Sequence, residues 1–199
     1  NFKLNTMKKI YLTLLVILAF NQTNAQESKA YLGVSLGVAF PGGDGADALK
    51  GAGLNLGLIN FGYRFTESWG ATLNLTSSGF AYDDYDGAAF GVGVFSVGPM
   101  YTANLGETIS LDLKPQYAFS MAGKSKGLDE IDNVTTKGNG FVLGSSLNFG
   151  VTKGIKFSIN LDYTSGKWNK VEYNGRSVDV DSDNKISALA LGAGIRYNF

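Results

Sequence analysis

The 199 residues of this chain include no histidine and no cysteine, so a catalytic role would have to be built on other groups, of which the carboxylates are the first candidates. Histidine is the usual general base of enzymes, and histidine and cysteine together are the usual ligands of zinc. The absence of cysteine also excludes disulfides and attachment of lipid to a cysteine. We therefore expect no enzymatic activity, no cofactor, no catalytic residues and no metal site.

Charged residues do recur at alternate positions of segments that otherwise have the pattern of β-strands. We expect these residues to face an enclosed interior, where opposite charges pair to offset the loss of hydration. One interpretation is the lining of a selective channel, and the other is a salt-bridged plug. The plug is favoured, because an eight-stranded barrel is barely wide enough inside for its own side chains. The predicted network consists of Arg64, Asp112, Lys114, Lys156, Asp162 and Arg196.

Two acidic clusters are the remaining candidates for binding chemistry. Asp179, Asp181 and Asp183 alternate as in the first half of a calcium loop, but the twelfth position, where an EF-hand has Glu, is Ala190. A second cluster lies within residues 83–87. Asp, Asn and Gly are ordinary turn formers, so we interpret both clusters as solvated turns.

The elements that would position these groups are strands with two unlike faces. In residues 155–163, Ile155, Phe157, Ile159, Leu161 and Tyr163 alternate with smaller or polar residues. The same period of two recurs in residues 30–40, 54–65, 69–77, 90–101, 109–121, 141–149 and 189–199, and residues 109–121 place Met121 on the apolar row. This alternation predicts an all-β, antiparallel, up-and-down barrel.

Two segments change phase. Leu54, Leu56 and Leu58 occupy even positions before Ile59 and Phe61 occupy odd ones, and the same change follows Val94 at Phe95. A β-bulge explains such a change, because one extra residue turns the following side chains to the other face. Alternatively, both faces are apolar at that height because the interior holds large side chains there.

The connections alternate in length. Longer polar links occupy residues 41–50, 83–87, 122–139 and 166–185, whereas tight turns lie near residues 66–68, 105–106 and 153–154. All long links then lie at one end of the barrel and both termini at the other, as in outer-membrane barrels. A soluble lipocalin also alternates, but its water-facing row would carry many charges. The second row of this chain is mostly Gly, Ser, Thr, Asn and Ala, which favours a membrane barrel.

The last strand ends in Tyr197-Asn198-Phe199, with Ile195 and Leu191 in phase. In this the chain resembles the small outer-membrane β-barrel family of Gram-negative bacteria, of the OmpX, OmpW and OmpA-barrel types. The resemblance implies an eight-stranded transmembrane barrel. It also implies that Ile195, Tyr197 and Phe199 form the signal recognised by the barrel-assembly machinery.

The opposite end resembles a secretory signal peptide. Met7-Lys8-Lys9 is followed by an apolar run over residues 10–20 and by Thr23-Asn24-Ala25. That order is typical of an export signal, and the run is shorter than the roughly 20 residues of a membrane-spanning helix. We expect residues 1–25 to be a signal-peptide helix, with residues 1–6 an upstream extension, and residues 26–199 to be the barrel domain.

The expected function is structural or surface-interacting, with loops presented outside the cell. The alternative is a channel or transporter for small or apolar molecules. Residues 1–25 hold Lys3, Lys8 and Lys9 but no acid, so the remainder has 14 bases against 17 acids and a formal charge of about −3. A nucleic-acid partner would need a basic surface, so none is expected. Expected partners are outer-membrane lipid, the assembly machinery and an unidentified extracellular ligand, for a monomer with periplasmic termini.

Overall fold

Eight strands form a closed antiparallel barrel, and a ninth, short strand extends one hairpin beyond it. The computed structural model describes residues 29–127, 134–152, 154–173, 176–180 and 185–199. The predicted signal peptide lies outside these ranges. Within them, no helix is both long and apolar enough to cross a membrane. The elements are β1 (Ala30–Gly43), a one-turn 3-10 helix (Ala46–Ala48), β2 (Gly53–Arg64), β3 (Trp69–Ala81), β4 (Ala89–Asn104), β5 (Ile109–Lys126), β6 (Thr135–Gly150), β7 (Ile155–Tyr173), β8 (Arg176–Asp179) and β9 (Lys185–Asn198).

The barrel closes between its first and last strands. Consecutive strands pair from β1 to β7, β7 pairs with β9, and β9 pairs with β1 from Tyr31 opposite Asn198 to Gly43 opposite Ile186. Beyond the Tyr31–Asn198 end of this seam, the Ala30 N–H donates to Phe199 O at 3.0 Å and the Phe199 N–H donates to Ala30 O at 2.8 Å. The predicted up-and-down, eight-stranded barrel is confirmed.

The two faces of the wall have opposite character to those of a soluble barrel. In β7, Phe157 and Ile159 point outward and are each 50% exposed, whereas Ser158 and Asn160 point inward and are buried. Among the described residues, fifteen buried side chains are polar or charged and nine are apolar. The apolar row is therefore on the outside, as the wall of a membrane barrel requires.

Aromatic rings pair on the outer surface at two heights. Toward the long-link end, Tyr117 packs edge-on against Phe119 with ring centroids 4.8 Å apart. At the short-turn end, Trp69 packs against Tyr101 at 5.1 Å. Rings concentrate in this way at the two interfaces of a bilayer, where an aromatic body meets both lipid and water.

The two predicted phase changes have different causes. In β2 the pairing with β3 shifts between Gly57 and Ile59, so Leu58 is the extra residue of a β-bulge. In β4 the pairing with β3 runs without a shift, and the shift against β5 between Phe95 and Ser96 comes from an extra residue in β5. Val94 and Ser96 both face inward, so β4 itself has no bulge. The bulge interpretation holds for β2, and the alternative of an apolar interior holds for β4.

A bulge in β5 was not predicted. The pairing with β6 shifts between Ala118 and Met121, so Phe119 and Ser120 together oppose one residue of β6. The prediction that Met121 lies on the outer apolar row is therefore wrong. Met121 turns into the barrel and is buried there.

The longest predicted links are largely β-structure. Residues 122–139 were expected to be a loop, but β5 continues to Lys126 and β6 begins at Thr135. Residues 166–185 were also expected to be a loop, but β7 continues to Tyr173 and pairs with β8. We call this outer part of the sheet the β-extension. It consists of residues 122–126 of β5, 135–139 of β6, 166–173 of β7 and all of β8. It stands at the long-link end of the barrel.

Candidate functional site: the barrel interior

An ion pair crosses the interior near the short-turn end. Asp112 lies on β5 and Arg196 on β9, and Arg196 Nη1 donates to Asp112 Oδ2 at 2.5 Å. Both side chains are buried. Thr102 Oγ1 donates to the other carboxylate oxygen at 2.8 Å, and Asn148 Nδ2 donates to Oδ2 at 3.1 Å. Three donors thus hold one carboxylate in the middle of the barrel, which meets the requirement that a buried charge be paired and hydrogen-bonded.

The same height carries a second crossing contact. The Arg196 guanidinium lies over the ring of Tyr31, 4.4 Å from its centroid. Tyr31 Oη in turn donates to Met100 Sδ at 3.4 Å, which links β1 to β4. With the ion pair, these contacts occupy the cross-section of the barrel at this level.

A layer of polar side chains lies immediately above. Lys114 is 1% exposed, and its Nζ donates to Ser146 Oγ at 2.7 Å. Ser146 Oγ donates to Asn160 Oδ1 at 2.7 Å. On the other side, Gln116 Oε1 accepts hydrogen bonds from Asn74 Nδ2 at 2.9 Å and Ser96 Oγ at 3.0 Å. We call this layer and the Asp112–Arg196 group below it the plug.

Asp162 lies on β7 at the upper boundary of the plug, and one strand, β6, separates it from Lys114 on β5. Gly144 of β6 is paired with Lys114 on one side and with Asp162 on the other. A Cβ atom on Gly144 would lie 2.5 Å from Asp162 Oδ1 and 3.4 Å from Lys114 Cε. The two charged side chains therefore share the space that the missing side chain leaves. No ion pair between described residues includes Asp162, and its Oδ1 has no hydrogen-bond partner there.

The remaining two charges of the predicted network lie at the short-turn end. Lys156 is paired with Arg196 in the β7–β9 ladder and is half-buried, and the described ion pairs do not include it. Arg64 is the last residue of β2, half-buried and paired with Gly70. The structure thus brings Asp112 and Arg196 into contact, places Lys114 beside Asp162, and keeps Lys156 out of ion-pair range of both carboxylates.

Above the plug the interior is hollow. The cavity has a volume of about 180 Å³ and extends from Asp162 up to Asp44 and Leu49 of the first long link. One wall joins Phe90 and Trp168, whose rings meet edge-to-face with centroids 6.4 Å apart. Small residues and polar side chains complete the lining. The large apolar side chains of the wall are Phe80, Phe90, Val92, Val94, Met121, Val142, Trp168 and Ile186.

The sequence carried only a partial signal for this cavity. Phe90, Val92 and Val94 are apolar and out of phase with the rest of their strand, which is the pattern that an apolar inner wall produces. Met121 was assigned to the wrong face, and Trp168 fell in a predicted loop. The cavity depends on those two residues, so the sequence pattern alone could not outline it.

Two sequence features lack the surroundings that their chemistry needs. Gly33-Val34-Ser35-Leu36-Gly37 matches the Gly-x-Ser-x-Gly pattern of serine hydrolases, but it lies inside β1 and not at a turn between strand and helix. The described residues contain no cluster of three or more acidic side chains able to hold a metal ion, and these residues include Asp83, Asp84 and Asp86. Residues 181–184, which belong to the calcium-like segment, lie outside the described residues.

The three residues of the expected assembly signal lie on or beside the outer face of the seam. Ile195 and Tyr197 point outward and are about half exposed. The rings of Tyr197 and Phe199 stack with centroids 6.1 Å apart. All three are therefore accessible from the lipid side of the strand that closes the barrel.

The chain is similar in fold to several small outer-membrane barrels. Neisserial surface protein A matches with a TM-score of 0.60 at 14% identity, over 85% of this chain and 97% of that protein. Ail, the attachment invasion locus protein of Yersinia pestis, matches with a TM-score of 0.50 at 18% identity, over 86% and 99%. The N-terminal barrel domain of Pseudomonas aeruginosa OprF matches with a TM-score of 0.50 at 12% identity, over 87% and 100%.

No family model and no curated protein sequence matches the chain. The structural similarities therefore establish the fold, which is that of the small eight-stranded outer-membrane barrels. They carry over no site residue.

Proposed function

We propose that this chain is an integral protein of the outer membrane of a Gram-negative bacterium, exported by residues 1–25, that acts through its exterior end and does not conduct solutes. The apolar outer face supports the membrane location. In β7 this face runs over residues 155–163 and then becomes polar at Ser165 and Lys167. A strand crosses a bilayer in about 9–11 residues, which this band matches.

The observation that carries the non-conducting role is the plug. Lys114, Ser96, Ser146, Asn148 and Asp112 are all less than 2% exposed. A water-filled pore would leave such polar groups in contact with water. Their burial favours a structural or surface-interacting role over the alternative of a channel.

Planar-bilayer recording tests this part of the proposal. We expect the purified protein to give no reproducible unitary conductance. The matched control is Lys114→Ala combined with Arg196→Ala, which removes the two largest charged side chains of the plug and should produce small openings. Steady openings of the unaltered protein would instead identify it as a channel.

The β-extension is the surface that we propose meets a partner outside the cell. It is a continuation of the barrel wall, held by the backbone pairing of its strands and crossed by ion pairs from Lys137 to Glu172 at 2.7 Å and from Lys170 to Asp179 at 3.5 Å. We expect no catalysis at this surface, because the chain has no histidine, the usual general base, and no cysteine. The expected partner is a macromolecule or a surface glycan.

Orientation is testable because the chain has no cysteine, so a single introduced thiol is the only one. Lys126→Cys places it at the tip of the β-extension, and Glu107→Cys places it in a short turn. In intact cells a membrane-impermeant maleimide should label the first variant and not the second, and opening the outer membrane should expose the second. Labelling in the reverse order would overturn the proposed orientation.

A further inference from the structure

We infer that the cavity above the plug is a binding site for a small organic amine that carries one ring or an apolar group of similar size. This goes beyond the proposed surface role and rests on it only for the side of the membrane from which the ligand arrives. Three features of the described residues carry the inference: an unsatisfied carboxylate at the floor, an apolar wall, and a volume that fits a single ring.

The carboxylate is Asp162. Its Oδ1 atom is enclosed yet accepts no hydrogen bond, and no described residue forms an ion pair with it. Its ladder neighbours are Gly144 and Ala190, whose side chains donate nothing. An ionised oxygen without a donor in an enclosed site is costly, so the arrangement is incomplete as it stands.

The nearest cation does not complete it. Lys114 approaches Asp162 over Gly144, but its Nζ donates to Ser146 Oγ at 2.7 Å, on the plug side. Arg196 is bound to Asp112 lower in the barrel. Asp162 as a whole is half-buried and lines the cavity, although its Oδ1 is enclosed beside Gly144, so a donor that enters from above approaches the carboxylate from its Oδ2 side. The missing partner is therefore a donor that enters through the cavity, and a cationic one forms the stronger bond to a carboxylate.

The wall determines the rest of the ligand. Phe90 and Trp168 meet edge-to-face, and Phe80, Val92, Val94 and Val142 extend the apolar surface around them. An apolar cavity of about 150 Å³ holds a benzene ring. The cavity here, at about 180 Å³, has room for a ring and a short arm. A phenylalkylamine matches both the wall and the carboxylate, whereas a carboxylic acid of the same size would meet Asp162 with like charge.

Fluorescence of Trp168 reports on the site directly. The chain has two tryptophans, and the other, Trp69, lies on the outer face of β3. In detergent-folded Trp69→Phe, three probes with the same ring are titrated: 2-phenylethylamine, 2-phenylethanol and 3-phenylpropionate. We expect a saturable change in emission with the amine and with the alcohol. The amine should bind roughly tenfold or more tightly than the alcohol, since hydrogen bonds to charged groups are the stronger class, and the acid should bind most weakly.

Two further variants locate the effect. Asp162→Asn, which keeps the size of the side chain, should reduce binding of the amine to the level of the alcohol and leave the alcohol unchanged. Ala190→Phe fills the cavity beside Asp162 and should abolish saturation by every probe. Equal binding of amine and alcohol to Trp69→Phe, an amine preference that survives Asp162→Asn, or no saturable change at all would each overturn the inference.

Heat-dependent gel mobility shows whether each variant is folded. If Asp162→Asn does not fold, the comparison of the three probes in Trp69→Phe still decides the inference. All of these measurements are made in detergent. Their failure therefore leaves the proposed membrane location and orientation standing, and a failure of those proposals leaves the binding result intact.

Discussion

Asp112 and Arg196 meet in the middle of the barrel with Oδ2 and Nη1 2.5 Å apart, although 84 residues separate them in the chain. On the wall they are separated by β6 and β7, because β5 pairs with β6, β6 with β7 and β7 with β9. The contact therefore passes through the interior and joins two parts of the wall that are three strands apart. The interior side chains therefore connect distant strands of the barrel to one another, in addition to the backbone pairing of the wall.

Removal of this carboxylate should destabilise the barrel strongly. Asp112→Ala leaves Arg196 buried without its partner, and breaking a buried pair in this way costs about 3–5 kcal/mol. The matched control is Asp179→Ala, whose carboxylate pairs with Lys170 but is 88% exposed and so contributes about 0–1 kcal/mol. Urea unfolding in detergent measures both. Similar shifts of the two midpoints would show that water reaches Asp112 and would favour the channel.

Gly144 should be sensitive to the addition of a single methyl group. Gly144→Ala would place the new Cβ 2.5 Å from Asp162 Oδ1, so the Asp162 side chain or the backbone at residue 144 must move. Overpacking of this kind costs about 1–3 kcal/mol. Gly91 of β4 is the control, because a Cβ there meets nothing nearer than 4.0 Å. Gly91→Ala should stabilise the strand by about 0.5–1 kcal/mol. Opposite signs are expected in urea unfolding, and equal losses would contradict the crowding around Gly144.

The closed seam predicts a change in gel mobility on heating. Every barrel strand is paired on both sides, so no free edge is available from which detergent can unravel the sheet. Unheated protein in dodecyl sulfate should stay folded and migrate differently from boiled protein. Matching positions of the two bands would mean that the seam between β1 and β9 opens readily.

Phe199 should matter for assembly more than for stability. Its ring stacks on Tyr197 at the outer surface, and burial of such a side chain contributes about 1.5–3 kcal/mol at most. Phe199→Ala should therefore lower the amount inserted in cells sharply, while protein refolded in detergent remains nearly as stable as the unaltered chain. Quantitative blots of outer membranes and urea unfolding separate the two effects. Unchanged insertion would remove the assembly-signal role from Ile195, Tyr197 and Phe199.

The strands and their closure followed from the sequence because a period of two is a property of neighbouring residues. Leu58 showed as a bulge because leucines occupy the even positions up to it, whereas Ile59 and Phe61 begin an apolar row on the odd positions. The bulge at Phe119 and Ser120 did not show, because the residues after it include Ala122 and Gly123, which suit either face. The β-extension was taken for loop because most of its residues are polar or glycine, and its few apolar residues, such as Trp168 and Val171, do not alternate regularly.

The interior was harder to predict for a different reason. Alternation indicates which residues point inward, and it therefore predicts all six charges of the network in the interior; Asp112, Lys114 and Arg196 are buried there. It does not tell at which height they lie, because height depends on how the strands are staggered around the barrel. The pairing of Asp112 with Arg196, the separation of Lys156 from both carboxylates and the unsatisfied oxygen of Asp162 all depend on that stagger.

The unequal lengths of the strands have a consequence for how a partner would bind. β2 and β3 have 12 and 13 residues, whereas β5 and β7 have 18 and 19, so the mouth of the barrel is walled on one side and low on the other. That wall is ordered by backbone hydrogen bonds before any partner arrives. Docking against it would cost little of the conformational entropy that a flexible loop gives up on binding. Affinity for a partner is therefore expected to depend on fit to a fixed surface, with rapid rejection of molecules that do not match it.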